Sequence, residues 1–174
     1  MMIRKGGKMK KVTVKFTVAK GSISAIMYWL LHHKYTHAAI GLEKDSDVFY
    51  SFAYSGFSKE NKRKRIPNSW RDNYAYYYIE VSDDVYLEMK KKIQNFEDNI
   101  ESLKYSILEI ITAFLNIPFK QKNKFFCSYF VADLLTSTGA YPLSKKSCTY
   151  LPHHLAKELE NCEHIEYVSN TVSA

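Results

Sequence analysis

The chain has 174 residues, a formal net charge of +7, 46% hydrophobic residues and 25% charged residues. This length and composition predict one globular domain and exclude disordered, collagen-like and coiled-coil chains. The sequence contains no run of about 18 apolar residues, so we expect no membrane-spanning helix. The basic excess permits weak attraction to anionic surfaces and says nothing about the fold.

The cysteines and the N-terminal residues predict a compartment. The chain contains three cysteines, Cys127, Cys148 and Cys162. Three cysteines do not make a disulfide framework in a chain of this size, which indicates reduced thiols. Lysines interrupt the N-terminal stretch where a signal peptide needs apolar residues, so we expect a cytoplasmic protein. We interpret residues 1–10 as a basic tail, with Met1 and Met9 as alternative starts, and residues 11–174 as a single domain.

The first half of the chain is rich in predicted strands. Apolar and polar residues alternate from Val12 to Val18, which is typical of a strand with one buried face. The following segments predict, in chain order, a helix over 23–31, a hairpin of strands 36–42 and 48–54, a long basic loop over 55–73 and a tyrosine-rich strand over 74–81. Across the hairpin turn we expect Leu42 to pair with Val48.

The second half of the chain predicts helices. Apolar residues recur at helical spacing over 85–96, 107–114, 130–135 and 152–161. Ser82 is placed to cap the first of these helices and Gly139 to end the third. A last strand is predicted over 165–168. Because strands gather early and helices late, we predict an α+β fold.

Cys127 is the strongest candidate for chemistry. It falls one residue before, or in, the first turn of the helix that carries Val131 and Leu134. An unperturbed thiol with a pKa near 8.5 is only about 3% ionised at pH 7, whereas a helix N-terminus favours the thiolate. The backbone N–H groups of Cys127 and Ser128 are candidates for stabilising an oxyanion. The alternative is that Cys127 is a small buried core residue.

A nucleophilic cysteine needs a base, which is usually a histidine. His37 lies inside an apolar predicted strand, on the same face as Ala39 and Gly41. These small neighbours leave space beside the imidazole for another element or a substrate. The alternative is a hydrogen-bonded histidine with a structural role.

Four segments of the chain, residues 36–41, 49–52, 126–135 and 149–152, resemble a known family. They are similar to the circularly permuted NlpC-type cysteine hydrolases, papain-like proteins related to the lecithin:retinol acyltransferase group. In that family a strand histidine precedes the nucleophilic cysteine. The resemblance implies a permuted papain-like fold: a small antiparallel β-sheet packed against helices, with the catalytic cysteine, Cys127, at a helix N-terminus. It implies that His37 is the base.

The third member of this catalytic set is the residue that orients the imidazole. In the family it comes from the strand after the histidine, where many relatives carry Glu or another strong acceptor. The expected hairpin pairing places Ser51 on the face of His37, diagonally about 7–8 Å away at the backbone. Ser51 is therefore our candidate, with Glu43 and, after a one-residue register slip, Tyr50 as alternatives.

The resemblance implies a cysteine-dependent hydrolase of the amidase or peptidase type that needs no cofactor. Its thiolate attacks an acyl carbonyl in a peptide, amide or other acyl substrate. Tyr35, beside the histidine motif, is a candidate for lining the substrate site, although a lone tyrosine is more often a packing residue. The alternatives are an acyltransferase acting on lipid and a binding module for nucleic acid or another anionic ligand on an inactive papain-like scaffold.

Two other patterns in the sequence have some of the residue types of a binding site. A Cys/His cluster lies near the C-terminus: Cys148, His153, His154, Cys162 and His164. Its spacing matches no zinc pattern, so we expect no metal. The basic run that begins at Lys59 and ends at Arg65, near Trp70 and Tyr74, has the charge and aromatic content of a single-stranded nucleic-acid groove. We interpret it as a solvated loop with weak attraction to anionic surfaces and expect no nucleic-acid partner.

Overall fold

The structure is a computed structural model that describes residues 9–18, 35–61 and 73–170. Within these residues the chain forms a six-stranded antiparallel sheet and four α-helices. The predicted α+β class is confirmed. The predicted helix over 23–31 lies outside the described residues, as does most of the N-terminal tail.

Six strands pair in the order β4-β3-β2-β1-β5-β8. Their bounds are Lys10–Thr17 for β1, His37–Gly41 for β2, Val48–Ala53 for β3, Gly56–Asn61 for β4, Tyr74–Val81 for β5 and Glu166–Asn170 for β8. Two further short strands, β6 (Lys104–Tyr105) and β7 (Lys124–Phe125), form a separate parallel pair. The hairpin of β2 and β3 has the predicted register, because Ile40 pairs with Tyr50.

Both faces of the central strand β1 are buried. Its apolar residues, such as Val14 and Phe16, join the main hydrophobic core. The alternate residues Thr13, Lys15 and Thr17 are also buried, at 1%, 3% and 5% exposure. The expectation of a single buried face is therefore wrong. We call this second side of the sheet the polar face; by alternation it continues through Ser51 of β3 and Glu60 of β4.

Strand β4 corrects the prediction of a loop over 55–73. Residues Gly56–Asn61 pair with β3 along its whole length. Gly56 adopts a φ of 103°, which glycine tolerates and which allows the tight turn after β3. The sequence did not predict this strand, because two of its residues, Lys59 and Glu60, are charged and charged residues are unusual in a strand with buried neighbours.

Four helices follow β5 in the positions that the periodicity predicts. They are α1 (Asp83–Asp98), α2 (Ile107–Phe114), α3 (Cys127–Ser137) and α4 (Pro152–Glu160). The Ser82 side chain accepts a hydrogen bond from the Val85 N–H and caps α1, as predicted. Gly139, just after α3, has a φ of 73°. In the part of the chain that is described, no helix is long and apolar enough to span a membrane.

Helix α3 packs directly on strands β2 and β3. Its side chains Phe130, Val131 and Leu134 join the main core. Burial of this apolar face fixes the helix against the sheet. The first residue of the helix is thereby held beside the start of β2.

Candidate active site

Cys127 is the first residue of α3, which confirms its predicted place at a helix N-terminus. The preceding residue, Phe126, has extended backbone angles and is 1% exposed. The chain before it is fixed by the short parallel pair, where the Ser106 N–H donates to the Phe125 carbonyl at 2.9 Å. Cys127 itself is 4% exposed. Its position is therefore set by backbone pairing on one side and core packing on the other.

The imidazole of His37 is hydrogen-bonded to Cys127. His37 is the first residue of β2, where it pairs with Thr17 of β1. Its Nε2 atom contacts the Oε1 atom of Glu60. Since Glu60 occupies Nε2, Nδ1 is the ring nitrogen left for the thiol. Two residues 90 positions apart in the sequence thus meet at one site.

Glu60 also binds a buried lysine. Its Oε2 atom accepts a hydrogen bond from Lys15 Nζ at 2.7 Å. Lys15 Nζ lies 4.6 Å from the centre of the Phe49 ring, a cation–π distance. One oxygen of Glu60 therefore contacts the imidazole, and the other accepts a hydrogen bond from the buried Lys15.

The charges in this arrangement support one another. Burial alone would lower the pKa of His37, but its hydrogen bonds with Cys127 and Glu60 and their negative charges raise it to about 10. Burial alone would raise the pKa of Glu60, but the contact with His37 and the charge of Lys15 lower it to about 2. His37 is therefore an imidazolium and Glu60 a carboxylate at neutral pH.

The thiol of Cys127 shifts in the complementary direction. Burial opposes ionisation, but the hydrogen bond with His37 and its positive charge outweigh burial and lower the pKa of Cys127. Backbone hydrogen bonds from Ala38 and Ser128 to the sulfur act in the same direction. The arrangement therefore favours a thiolate–imidazolium ion pair, which is the reactive form of a cysteine nucleophile.

The contact to the imidazole that the sequence analysis assigned to Ser51 is made by Glu60. Ser51 is fully buried on β3, and its hydroxyl donates to the Ala38 carbonyl at 2.7 Å. Tyr50 points to the opposite side of the strand, where its ring stacks on Phe57. Glu43 lies in the turn, where its N–H donates to the Ser46 hydroxyl.

Two other predicted site residues are placed as follows. Ser128 directs its N–H to the Cys127 sulfur, while its hydroxyl donates to the Tyr150 carbonyl at 2.7 Å. Tyr35 is 9% exposed and belongs to the main core, with its ring 6.0 Å from that of Phe16. Tyr35 therefore has a packing role in this structure.

Sequence reasoning missed three residues of the site. Glu60 lies among the lysines and arginines of the basic run. Lys15 alternates with apolar residues, a pattern that is typical of a solvent-facing side chain. The signal for Glu60 was the glycine at position 56, which closes a second hairpin after β3. Tyr105 is the third: burial and then the negative charge of Cys127 raise the pKa of its hydroxyl, which favours the protonated form.

The structure also places the two other patterns, the Cys/His cluster and the part of the basic run that is described. All three cysteines are free, and no group of three or more His, Cys, Asp or Glu side chains in the described ranges is arranged to hold a metal. Within the basic run, Lys59 forms an ion pair with Glu97 of α1 at 2.7 Å. Residues 62–65 of that run lie outside the described residues.

Comparisons with protein-family models, with curated proteins and with solved structures give no match. The geometry of the site is therefore the basis for a functional assignment.

Proposed function

We propose that this protein is a cysteine-dependent hydrolase of the amidase or peptidase type. Cys127 is the nucleophile, His37 the base and Glu60 the residue that orients the imidazole. One observation carries the proposal: the two sides of the His37 ring contact a thiol and a carboxylate. This nucleophile–base–acid order is the arrangement that activates cysteine for acyl transfer.

In the first half of the reaction, the Cys127 thiolate attacks the acyl carbonyl carbon and the carbonyl π electrons move to its oxygen. The N–H of Cys127 has no acceptor within its own helix, because the first N–H groups of a helix are unpaired. This N–H and the Tyr105 hydroxyl are the candidate donors to the developing oxyanion. The sulfur is already held by the N–H groups of Ala38 and Ser128.

In the second half, the oxyanion collapses and the bond to the leaving nitrogen or oxygen breaks. The His37 imidazolium gives its proton to this leaving group, and a thioester on Cys127 remains. Neutral His37 then takes a proton from water, the resulting hydroxide attacks the thioester, and the C–S bond breaks to restore the thiolate. Throughout, Glu60 keeps the ring oriented and stabilises its protonated form.

The proposal includes a permuted papain-like arrangement of the chain. Three features support it: the histidine comes first, it opens a strand, and the cysteine opens a helix packed on that strand. The six-stranded antiparallel sheet supplies the base and the acid from β2 and β4. The helix supplies the nucleophile.

Alkylation by iodoacetamide at pH 6 tests the activated thiol. An unperturbed thiol is only about 0.3% ionised at this pH, so we expect Cys127 alone to react fast. Cys148, at 1% exposure in an apolar cluster, is a control for burial, and Cys162 is a control for partial exposure. Peptide mass spectrometry gives the three rates. If Cys127 reacts no faster than Cys148, or if His37→Asn leaves its rate unchanged, the proposal fails.

An activated acetyl ester then tests the acyl-transfer chemistry. We expect an acetyl group on Cys127 in the native protein, slow release in water, and no acylation in Cys127→Ser. Release to an added amine faster than to water would assign an acyltransferase instead of a hydrolase. Fast alkylation without any acylation would contradict acyl transfer at this site.

A further inference from the structure

Helix α2 and the residues that follow it form an exposed apolar surface. Fourteen large hydrophobic residues are exposed in the described chain, and half of them lie between residues 107 and 119. They are Ile107, Leu108, Ile111, Phe114, Leu115, Ile117 and Phe119, with exposures of 38% to 59%. We call this surface the apolar crest. Such clustering differs from the scattered exposed apolar residues of an ordinary surface.

The inner side of helix α2 packs against the body of the protein. Helix α2 turns Ile110 and Ala113 inward, where they pack with Phe126 and Tyr129 in a second hydrophobic cluster. The Ser106 side chain caps the helix by accepting from the Glu109 N–H. The helix is therefore apolar on its inner and its outer side, a pattern that calls for an apolar environment on both.

The exposed charges of the crest segment itself are positive, and one of its lysines, Lys120, lies 3.9 Å from the Asp133 carboxylate of α3. The lysines beside it are Lys104, Lys120, Lys122 and Lys124. Lys104 and Lys124 are brought together by the β6–β7 pairing. Between residues 103 and 132 the only acidic residue is Glu109, which is 0% exposed. Its Oε1 atom accepts from the Gln121 N–H at 2.6 Å, so this carboxyl faces inward and ties the crest segment together.

We infer that the apolar crest docks on an anionic lipid bilayer. Its large side chains enter the boundary between headgroups and acyl chains, and the lysines meet lipid phosphates, as in interfacial membrane binding. A second copy of the chain fits less well, because a two-fold contact through this surface would place its lysines together. Phe126 packs beneath the crest and directly precedes Cys127, so docking brings the sulfur close to the membrane surface.

Vesicle co-sedimentation tests this inference without any catalysis. The protein carries Cys127→Ala, and the vesicles are phosphatidylcholine alone or with about one third phosphatidylglycerol. We expect binding to the anionic vesicles that weakens with added salt. Each of Lys120→Gln and Lys122→Gln should lower the partition coefficient about fivefold, the effect of one lysine at an anionic surface.

The apolar contribution is tested by Leu108→Ser with Ile111→Ser. Both side chains are about half exposed, so we expect unchanged thermal unfolding and a loss of vesicle binding of at least tenfold. Leu87→Ser, at a 60% exposed position on α1, is the matched control and should bind like the parent.

Three results would overturn the inference: no binding to anionic vesicles, equal loss in Leu87→Ser, or a dimer in solution that Leu108→Ser with Ile111→Ser dissociates. The last result would make the apolar crest a subunit interface. None of them bears on Cys127 chemistry, since the docking assay needs no active thiol.

Discussion

Replacing Glu60 by glutamine is the most direct test of the charge arrangement around His37. Glutamine keeps an oxygen acceptor for the Nε2–H group but removes the negative charge that faces the imidazolium. The Cys127 contact is left in place. Any change in the ionisation of the thiol must then pass through His37.

The size of the effect follows from the pKa of His37, which rises from 6.5 to about 10. That difference corresponds to about 5 kcal/mol, which is the excess of the contacts with Cys127 and Glu60 over the opposing effect of burial. A hydrogen bond to a charged group contributes about 1.5–3 kcal/mol and a neutral one about 0.5–1.5 kcal/mol. Glu60→Gln should therefore weaken the stabilisation of the imidazolium by about 1.5 kcal/mol and lower the pKa of His37 by about one unit.

The assay is the rate of alkylation of Cys127 as a function of pH. The step of the profile at which the imidazolium loses its proton should move down by about one pH unit, whereas the acid limb, where Cys127 ionises beside the imidazolium in both proteins, should stay in place. Glu97→Gln is the matched control, because Glu97 also pairs with a lysine of the sheet at 2.7 Å. Identical profiles for native protein and Glu60→Gln would refute the role of Glu60.

Loss of the Glu60 charge also leaves Lys15 without its anion. An unpaired buried charge costs about 3–5 kcal/mol, so the single variant will be less stable. The double variant Lys15→Met with Glu60→Gln removes both charges and should recover part of that stability. Its alkylation profile should stay shifted, which separates the effect on the thiol from the effect on folding.

Three further outcomes are expected. Ser51→Ala should leave the alkylation profile unchanged and cost about 1 kcal/mol in urea unfolding, since its hydroxyl serves the Ala38 carbonyl; a tenfold slower profile would return Ser51 to the catalytic set. The pKa of Glu60 is lowered from 4.5 to about 2, so its stabilisation is present above pH 4.5 and lost as the pH falls toward 2. This lowered pKa contributes up to about 3 kcal/mol to the difference in unfolding free energy between the native protein and Glu60→Gln. Urea unfolding should show that difference shrinking as the pH falls from 4.5 to 2. A difference that stays constant would contradict the ion pair. Tyr105→Phe should slow acylation by the acetyl ester about tenfold without changing alkylation, because alkylation forms no oxyanion; equal effects on both would assign Tyr105 to positioning the sulfur.

The places of Cys127 and His37 in the fold could be predicted because they depend on local patterns. Cys127 begins a helix whose apolar stripe is visible in the sequence, and a helix N-terminus is defined by such a stripe. His37 begins a strand whose partner is fixed by a polar turn, so the hairpin register follows from the sequence. Both predictions need only neighbours within about ten residues along the chain.

The acid and its lysine could not be predicted by the same means. Alternation in β1 assigns Lys15 to the side away from the apolar core, and a lysine there is normally in water. In the structure that side is also buried, and Lys15 is 3% exposed. Glu60 lies among lysines and arginines that dominate its local pattern. The residues next to Lys15 and Glu60 in the sequence do not predict their contact, because it joins β1 and β4, which are not neighbours in the sheet.

The path of that contact explains what Ser51 does. Lys15 is paired with Ala39 and Ser51 with Ser58, and the hairpin register places Ala39 opposite Ser51. Strands β1 and β4 are three strand spacings apart, about 14 Å on a flat sheet. Ala39 and Ser51 lie between Lys15 and β4 on the polar face. The Glu60 side chain must pass over these two residues to reach Lys15, and the sheet must curve toward the polar face. Small residues at 39 and 51 leave that path open. The position therefore requires a short side chain, which a serine or an alanine satisfies equally well.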